Sequence, residues 1–400
     1  MNIAIIGGGF TGLTAAYELG KLGHKVTVFE KDATLGGLAN GFKEPHWDWH
    51  LEMAYHHLFT NDNAIISLIK ELGLTDKLII KRPITANFYH GAMYQFDSAM
   101  NLLQFPHLSV IDKIRTGALA AFCKIYPFWQ TLEGVTAKEF FTRWGGAASW
   151  RIIWEPLMTG KFGKFADTIA ASWLWARIHK RTPSLIYIEG GFQTLINALA
   201  LAIKKQGGKI HLKSEFKRLD SKFDRTLLTI PTPTSIPHLH AQILILETKE
   251  PILKDVYWLS ITDRSFPFLA VVAHTNLMDK KHYGGNHITY IGNYLPDGHP
   301  YLSMTKEQLL AKFMPFLKRI SNYELRLPAG KAGITNFYLF IGKYAQPVHQ
   351  INYSQKAPKL VTQIPGVYLA NMDSIYPWDR GTNYAVELGI KAAAIMSSRT

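Results

Sequence analysis

Cysteine is nearly absent from this 400-residue chain, which carries only Cys123. A single thiol excludes an intrachain disulfide framework and any cysteine-rich metal site, so a reducing compartment suits the chain. Long apolar runs are also missing: no stretch reaches the roughly 18 to 20 uncharged residues that a membrane-spanning helix needs. The nearest, residues 116–123, is flanked by Arg115 and Lys124 and reads as a core or groove helix. The apolar start lacks a basic leader and a small-residue cleavage site, so no signal peptide is expected. There is no internal repeat and no low-complexity segment. Acids are the scarcer charge, 30 Asp and Glu against 44 Lys and Arg, for a net +14. That excess favours anionic ligands or anionic membrane surfaces. The basic residues are spread without any recognisable nucleic-acid module, so nucleic acid is not an expected partner. A hydrophobic content of 47% with 18% charge describes an ordinary globular chain, long enough for two or three domains. A cytoplasmic location is expected, with peripheral membrane contact left open; oligomeric state is not legible.

What is present is concentrated in the first thirty residues. An apolar run to Ile6 leads into Gly7-Gly-Gly-Phe10-Thr11-Gly12, then a helical pattern, then a second apolar run ending in Glu30. Strand, glycine turn, helix, strand and acid fall in register as a βαβ dinucleotide-binding unit. Gly7 permits the tight turn, Gly9 lets backbone approach a pyrophosphate, and Gly12 allows helix and strand to pack closely. The helix N-terminus offers unpaired N–H groups to phosphate. Glu30 can accept from ribose hydroxyls, and its charge disfavours the 2′-phosphate of NADP. Lys31 follows, and then Gly36-Gly37-Leu38, a second glycine pair that lets backbone approach another phosphate-bearing part of a longer cofactor.

With Gly23, Val26, Val28, Glu30, Gly36 and Gly37 in place, the chain resembles the flavin-dependent amine oxidase superfamily, which includes protoporphyrinogen oxidases, carotenoid desaturases and UDP-galactopyranose mutases. Two more segments carry the resemblance. Residues 187–204 form a Gly190-Gly191 turn and an amphipathic helix, followed by an expected strand over 209–216; the resemblance implies that Phe216 meets an adenine. Residues 366–371 read as a strand and 381–389 as the start of the last helix; the resemblance implies Asp373 near a ribityl and pyrophosphate, and N–H groups of Thr382, Asn383 and Tyr384 at a flavin's pyrimidine edge. The implied cofactor is FAD, noncovalent because no cysteine lies near the closing helix. The expected fold is α/β, a discontinuous Rossmann-like FAD-binding domain (1–60, 185–265 and 344–400) with an inserted mixed α+β substrate domain, made of a helical insertion (61–184) and a sheet-containing part (266–343). Helical runs are expected over 63–72, 137–144 and 306–320, and residues 226–237 read as an edge strand with a proline-rich turn.

A flavin brings its own redox chemistry, so catalytic side chains are harder to name than in a hydrolase. The densest polar stretch, residues 45–57, holds four histidines and two acids. It is tryptophan-rich and lacks HExxH or a cysteine partner, so no metal is assigned. His56 and His57 are the catalytic candidates, since His56 to Asp62 is similar to the histidine stretch of the mutases; bracing a domain junction is the ordinary alternative. Arg177 and Arg181, four apart on an expected helix, would suit a carboxylate or phosphate, or simply answer a helix dipole. Arg380 sits where the chain would approach the flavin, with a salt bridge to Asp379 or Asp373 as the plainer reading. Tyr338 and Trp378 are candidate substrate walls, though core packing would account for either, and no paired aromatic cage is apparent. The reading is an FAD-dependent oxidoreductase that takes hydride from a small-molecule, anionic substrate to flavin N5. Its rivals are a mutase-like use of reduced flavin on a nucleotide sugar and a non-catalytic flavin-binding scaffold.

Overall fold

Strand β1 (Asn2–Ile6) is buried from Ile3 onward, as its apolar run requires. Gly7 turns the chain out of the strand with φ 110°, and Gly9 stands at the N-cap of helix α1 (Phe10–Lys21). Strand β2 (Lys25–Phe29) then returns parallel to β1. Three more strands reach this sheet from distant parts of the chain: β5 (Lys209–His211), β6 (Arg225–Leu228) and β12 (Val367–Leu369). Together they form an all-parallel sheet ordered β5-β2-β1-β6-β12. Such a sheet needs cover on its faces. Helices α8 (Phe192–Lys205) and α10 (Thr382–Ser397) both pack against α1. The approach of α10 is close enough that a Cβ on Gly389 would lie 2.6 Å from the Thr11 carbonyl oxygen.

A computed structural model describes residues 1–321 and 333–398. Residues 322–332 and 399–400, which fall in the expected segments 266–343 and 344–400, lie outside the described residues. Two expectations are corrected here. The strand expected over 209–216 stops at His211, because Lys213 takes a left-handed φ of 52°. The expected edge strand is an interior one: β6 lies between β1 and β12, and Pro231, Pro233 and Pro237 all follow it, so no ladder donor is lost.

The second sheet has seven strands: β3 (Ile84–Tyr89), β4 (Ala92–Gln95), β7 (His238–Thr248), β8 (Val256–Ile261), β9 (Ala270–Ala273), β10 (His287–Leu295) and β11 (Ile334–Pro347). Their order is β11-β7-β10-β9-β8-β3-β4, antiparallel except between β8 and β3. This membership cuts across the expected segments. β3 and β4 come from the stretch read as helical, and β7 and β8 from the stretch read with the cofactor. β7 is buried at every residue from Leu239 to Thr248, and a continuous buried run gives no period by which to tell one sheet from another. One face of the sheet, including Leu244, Leu246, Leu259, Val271 and Ile291, packs on helix α9 (Lys306–Ile320). Thr305 and Gln308 close a capping box at that helix's start.

The other face carries Ile243, Ile245, Tyr290, Gly292 and Tyr294, which strand alternation puts on one side. Ile243, Ile245 and Tyr290 join the core beneath the parallel sheet. Tyr294 joins a separate core of α4 (Val110–Ile125), α5 (Ala137–Gly145), α6 (Glu155–Phe162) and α7 (Ala171–Lys180), built on Leu119, Phe141, Phe162, Trp173 and Trp175. Helices α2 (Asn63–Glu71) and α3 (Ala99–Gln104) complete the set needed below. Among the described residues no helix is long and apolar enough to cross a membrane.

Candidate active-site cleft

The first end of the candidate site is built by loops that only glycine permits. A Cβ on Gly12 would overlap the Gly7 carbonyl oxygen, and one on Gly37 would come within 3.3 Å of Gly9 Cα. Around Gly9, by contrast, a Cβ would meet nothing nearer than 4.0 Å. The two glycine loops thus leave an open cradle in front of α1, whose first-turn N–H groups have no partner within the helix. Those are the donors of Phe10, Thr11 and Gly12. The Phe10 ring itself is buried edge-on to Phe192 at 6.5 Å, so only its backbone is available to a ligand.

Glu30 is nearly buried and holds the loop in shape. Its Oε2 accepts from Gly8 N–H at 2.6 Å and its Oε1 from Asp32 N–H at 2.9 Å, which leaves lone pairs for a ribose. Lys31 is exposed. Gly36 donates its N–H to the Gly8 carbonyl at 2.9 Å, and Leu38 packs where β11 passes, 3.0 Å from the position of a Cβ on Gly342. Ser214 N–H donates to the Glu30 carbonyl at 2.8 Å, so Phe216, two residues on, lies half-buried at the ribose end of the sheet. An open cradle, free helix donors and a terminal acid fit a dinucleotide.

At the other end, the turn after β12 is held by Asn371, which donates to the Ile230 carbonyl and accepts from Asp373 N–H at 3.1 Å. The Asp373 carboxylate is buried and bonded to His238 Nε2 at 2.6 Å, leaving its second oxygen. Asn383 spends its side chain elsewhere: its carbonyl oxygen accepts from Ala64 and Ile65 N–H, capping α2, and its amide donates to Glu387. Thr382 is buried. What α10 offers a ligand is therefore its first-turn backbone. Tyr384 stacks on Trp378 with centroids 5.5 Å apart and planes 3° apart, so these two rings are in face contact with no slot between them.

Next to this turn the chain gathers an excess of cations. Asp379 is bound by Lys161 Nζ at 3.1 Å, by Arg177 in a short ion pair, and by Trp173 Nε1–H at 3.3 Å. Burial alone would raise the Asp379 carboxyl, but Lys161 and Arg177 outweigh it and hold it below the usual carboxylate range. Burial pushes the Lys161 ammonium well below its ordinary value, Asp379 offsets part of that, and Arg177 and Arg380 add to it. Its Nζ lies 4.7 Å from the Trp173 ring centroid and 5.1 Å from that of Tyr294. The Arg380 guanidinium also sits on Tyr294, at 4.7 Å. Among the described residues it has no ion-pair partner, so the expected bridge to Asp379 or Asp373 is not formed: those acids are taken by Lys161, Arg177 and His238. Burial lowers Arg380 to about 10.

Arg181 is exposed, yet burial by surrounding protein, with Arg177 adding to it, lowers it to about 10. It does not share a helix face with Arg177 as expected, because α7 ends at Lys180 and Arg181 is extended at ψ 126°.

His56 and His57 face the same cations. Burial, with Arg380 adding to it, lowers His56 to about 4 although its hydrogen bond to Ala54 opposes this; burial, Arg181, His56 and Arg177 lower His57 to about 3. Both are neutral near pH 7. His56 Nδ1–H donates to the Ala54 carbonyl at 2.7 Å, which leaves Nε2 as a bare acceptor. His57 Nδ1 pairs with the Tyr257 hydroxyl at 3.1 Å. Beside them Tyr55 packs edge-on to Trp258 and lies over Gly292, where a Cβ would come 3.0 Å from its ring. Tyr338 is not part of this wall. It packs on Phe42 and Trp47 and donates to Glu247, which also accepts from Asn286 and bonds His46 at 2.8 Å. The histidine-rich stretch is therefore divided between a structural brace at His46 and the cleft at His56 and His57.

Sequence reasoning missed Lys161, Tyr55, Tyr294 and His349, the last fully buried with neither ring nitrogen bonded among the described residues. Tyr290, Gly292 and Tyr294 carry a legible signal, two aromatics and a glycine at strand period. Lys161, one basic residue near the end of α6 with Thr159 and Lys164 close by in sequence, carries none.

Fold and site together describe a parallel-sheet protein whose glycine loops have the shape for a dinucleotide, with a cluster of cations at the closing turn. The chain belongs to the flavin containing amine oxidoreductase family, whose model matches residues 10–245. It is 25% identical over 252 residues to zeta-carotene desaturase of Solanum lycopersicum, covering 53% of this chain and 41% of that protein. The match thus spans less than half the length of that relative. Among solved structures, an oxidoreductase from Methanosarcina mazei superposes with a TM-score of 0.71 at 18% identity over 100% of both chains. A reduced UDP-galactopyranose mutase gives 0.72 at 16% identity over 98% of this chain and 94% of that one. At such identities the likeness is one of fold.

Proposed function

We propose that this chain is an FAD-dependent oxidoreductase acting on a small organic anion. The observation that carries the substrate class is an excess of cations: Lys161 and Arg177 share one carboxylate, Asp379, while Arg380 and Arg181 interact with Arg177 and have no ion-pair partner among the described residues. Uncompensated charge in a desolvated cleft attracts a carboxylate or phosphate far more strongly than the same charge at an open surface. Trp173 and Tyr294 form apolar walls that exclude water and orient the rest of the substrate. In this reading the parallel-sheet part binds the cofactor and the seven-stranded sheet with its helices binds the substrate.

FAD would be held noncovalently by the cradle at Gly7, Gly9, Gly36 and Gly37, the first turns of α1 and α10, Glu30 toward the ribose, Phe216 toward the adenine and Asp373 toward the ribityl chain. When bound, the flavin supplies a two-electron acceptor that takes hydride at N5. Arg380 is the cation nearest the start of α10 and would stabilise negative charge there. His56, neutral with a bare Nε2, can accept a hydrogen bond from substrate N–H or O–H. Arg177 is already committed to Asp379, so Arg181 is the freer hand for an anionic group.

The same cations would suit the diphosphate of a nucleotide sugar, and the fold likeness to a reduced mutase keeps that second reading alive. One experiment separates them: release and identify the cofactor, then mix the oxidised protein anaerobically with carboxylated amines and nucleotide sugars. Bleaching by an anionic reductant supports the oxidoreductase; turnover of a nucleotide sugar only after chemical reduction supports the mutase. Tight ligand binding with neither would mark a scaffold.

A further inference from the structure

Helix α4 is amphipathic in the wrong sense for a helix that merely covers a core. Thr116, Leu119 and Cys123 are buried against neighbouring helices. Ile111, Ile114, Ala118 and Ile125 fall at helical spacing on the opposite face, and the three isoleucines are 70%, 60% and 80% exposed. A surface helix ordinarily carries charged and polar residues there. The stripe widens on both sides. Lys113 Nζ–H donates to the Leu103 carbonyl at 2.7 Å, and Arg115 donates to the Arg143 and Trp144 carbonyls at 2.7 and 3.2 Å; Leu103 and Trp144 are themselves more than half exposed. The result is a cluster of exposed apolar side chains on and beside one helix face, unlike the singly scattered exposed residues normal for a monomer.

The charge around the strip is predominantly positive. Lys113, Arg115 and Lys124 flank it and donate to backbone carbonyls, so their charges are not neutralised by these bonds. The single acid of α4, Asp112, accepts from Ser109 Oγ–H at 2.6 Å at the helix start. An apolar stripe between cations, on a helix of 16 residues too short to span a bilayer, matches a helix that lies in the headgroup region of an anionic membrane. A second copy of the chain fits worse, because pairing this face with itself would bring the two basic rims together. We infer that the α4 face docks on an anionic lipid surface. The inference does not depend on the flavin chemistry proposed above.

The test is co-sedimentation of the full chain with unilamellar vesicles, either pure phosphatidylcholine or an equal mixture of phosphatidylcholine and phosphatidylglycerol. Wild type should pellet with the mixed vesicles and much less with the neutral ones. The double variant Ile111→Ser/Ile114→Ser should bind the mixed vesicles at least about tenfold more weakly. Both side chains are exposed, so the variant should keep the wild-type circular dichroism and melting temperature, and Leu201→Ser, on an exposed position of α8, serves as the control that leaves binding unchanged. Absence of binding to mixed vesicles, or equal binding by the double variant, would overturn the inference. So would a concentration-dependent dimer in solution that the double variant abolishes, which would assign the face to a second copy.

Discussion

The nucleotide cradle and the cation cleft are built on opposite principles. The cradle is made from neighbours in sequence: Gly7, Gly9, Gly12 and Glu30 are brought together by one βαβ turn, and their geometry follows from backbone sterics. The cleft is made from strangers: Tyr55, Lys161, Arg177, Tyr294 and Arg380 come from five different parts of the chain, and what joins them is charge and ring contact in a desolvated space. The first should fail by steric overlap and the second by loss of charge balance. The difference can be tested.

The largest effect is expected in the cradle. Gly12→Ala places a Cβ into the Gly7 carbonyl oxygen, which is backbone and cannot step aside. It should destabilise the fold by about 5 kcal/mol or more, a cost at the extreme for single substitutions. Urea denaturation of whatever folds would measure it, and a near-normal midpoint would show that α1 and β1 can separate cheaply. In the cleft, Asp379→Asn leaves Lys161 and Arg177 without their carboxylate. Breaking a buried pair by removing one partner costs about 4 kcal/mol. Adding Lys161→Met should then restore part of the loss; if the double variant is no more stable than Asp379→Asn, charge balance is not what holds the cleft.

A third prediction concerns Glu52, which lies where the two regions meet. Its carboxylate accepts from Tyr187 Oη–H and Phe192 N–H, both at 2.7 Å, and its carbonyl accepts from Tyr290 in the seven-stranded sheet. Burial raises this carboxyl from 4.5 to about 7. The folded state therefore holds the proton more tightly than the unfolded chain, and the stability this contributes is complete below the unfolded value and is lost as pH rises through the folded one. The loss across that window is about 3 kcal/mol. Glu52→Gln keeps one acceptor oxygen for Phe192 N–H, can turn its amide N–H toward the Tyr187 hydroxyl oxygen, and has no proton to lose. Its stability relative to wild type should improve steadily as pH rises from 4.5 to 7, and a pH-independent difference would refute the assignment. The smallest effect should come from Arg181→Leu. This side chain is exposed and has no ion pair among the described residues, so stability should hold while affinity for an anionic ligand falls by about tenfold. Calorimetry with a binding anion would detect it, and an unchanged affinity would remove Arg181 from the site.

How much was legible divides along the same line. The turn of β1 into α1, the acid at Glu30 and the helix after Gly381 can be read directly, because each depends on residues within a turn or two of one another. That β7 pairs into the seven-stranded sheet was not legible, because a strand buried on both faces has no alternation to read. Reading residues 209–216 as one strand failed because nothing in the composition announces a left-handed Lys213. The proposal that Arg177 and Arg181 act together rested on helix spacing, and the helix ends one residue too soon.

The sequence by itself determined the βαβ unit, the basic excess and the family, because local sterics and composition do not depend on what lies across the fold. Only the tertiary structure decided that Asp379 would hold Lys161 and Arg177, that Arg380 would be left against Tyr294, and that Asn383 would cap a distant helix. Electrostatic energy in a desolvated cleft depends on separations of a few ångströms, and spacing along the chain does not encode those separations.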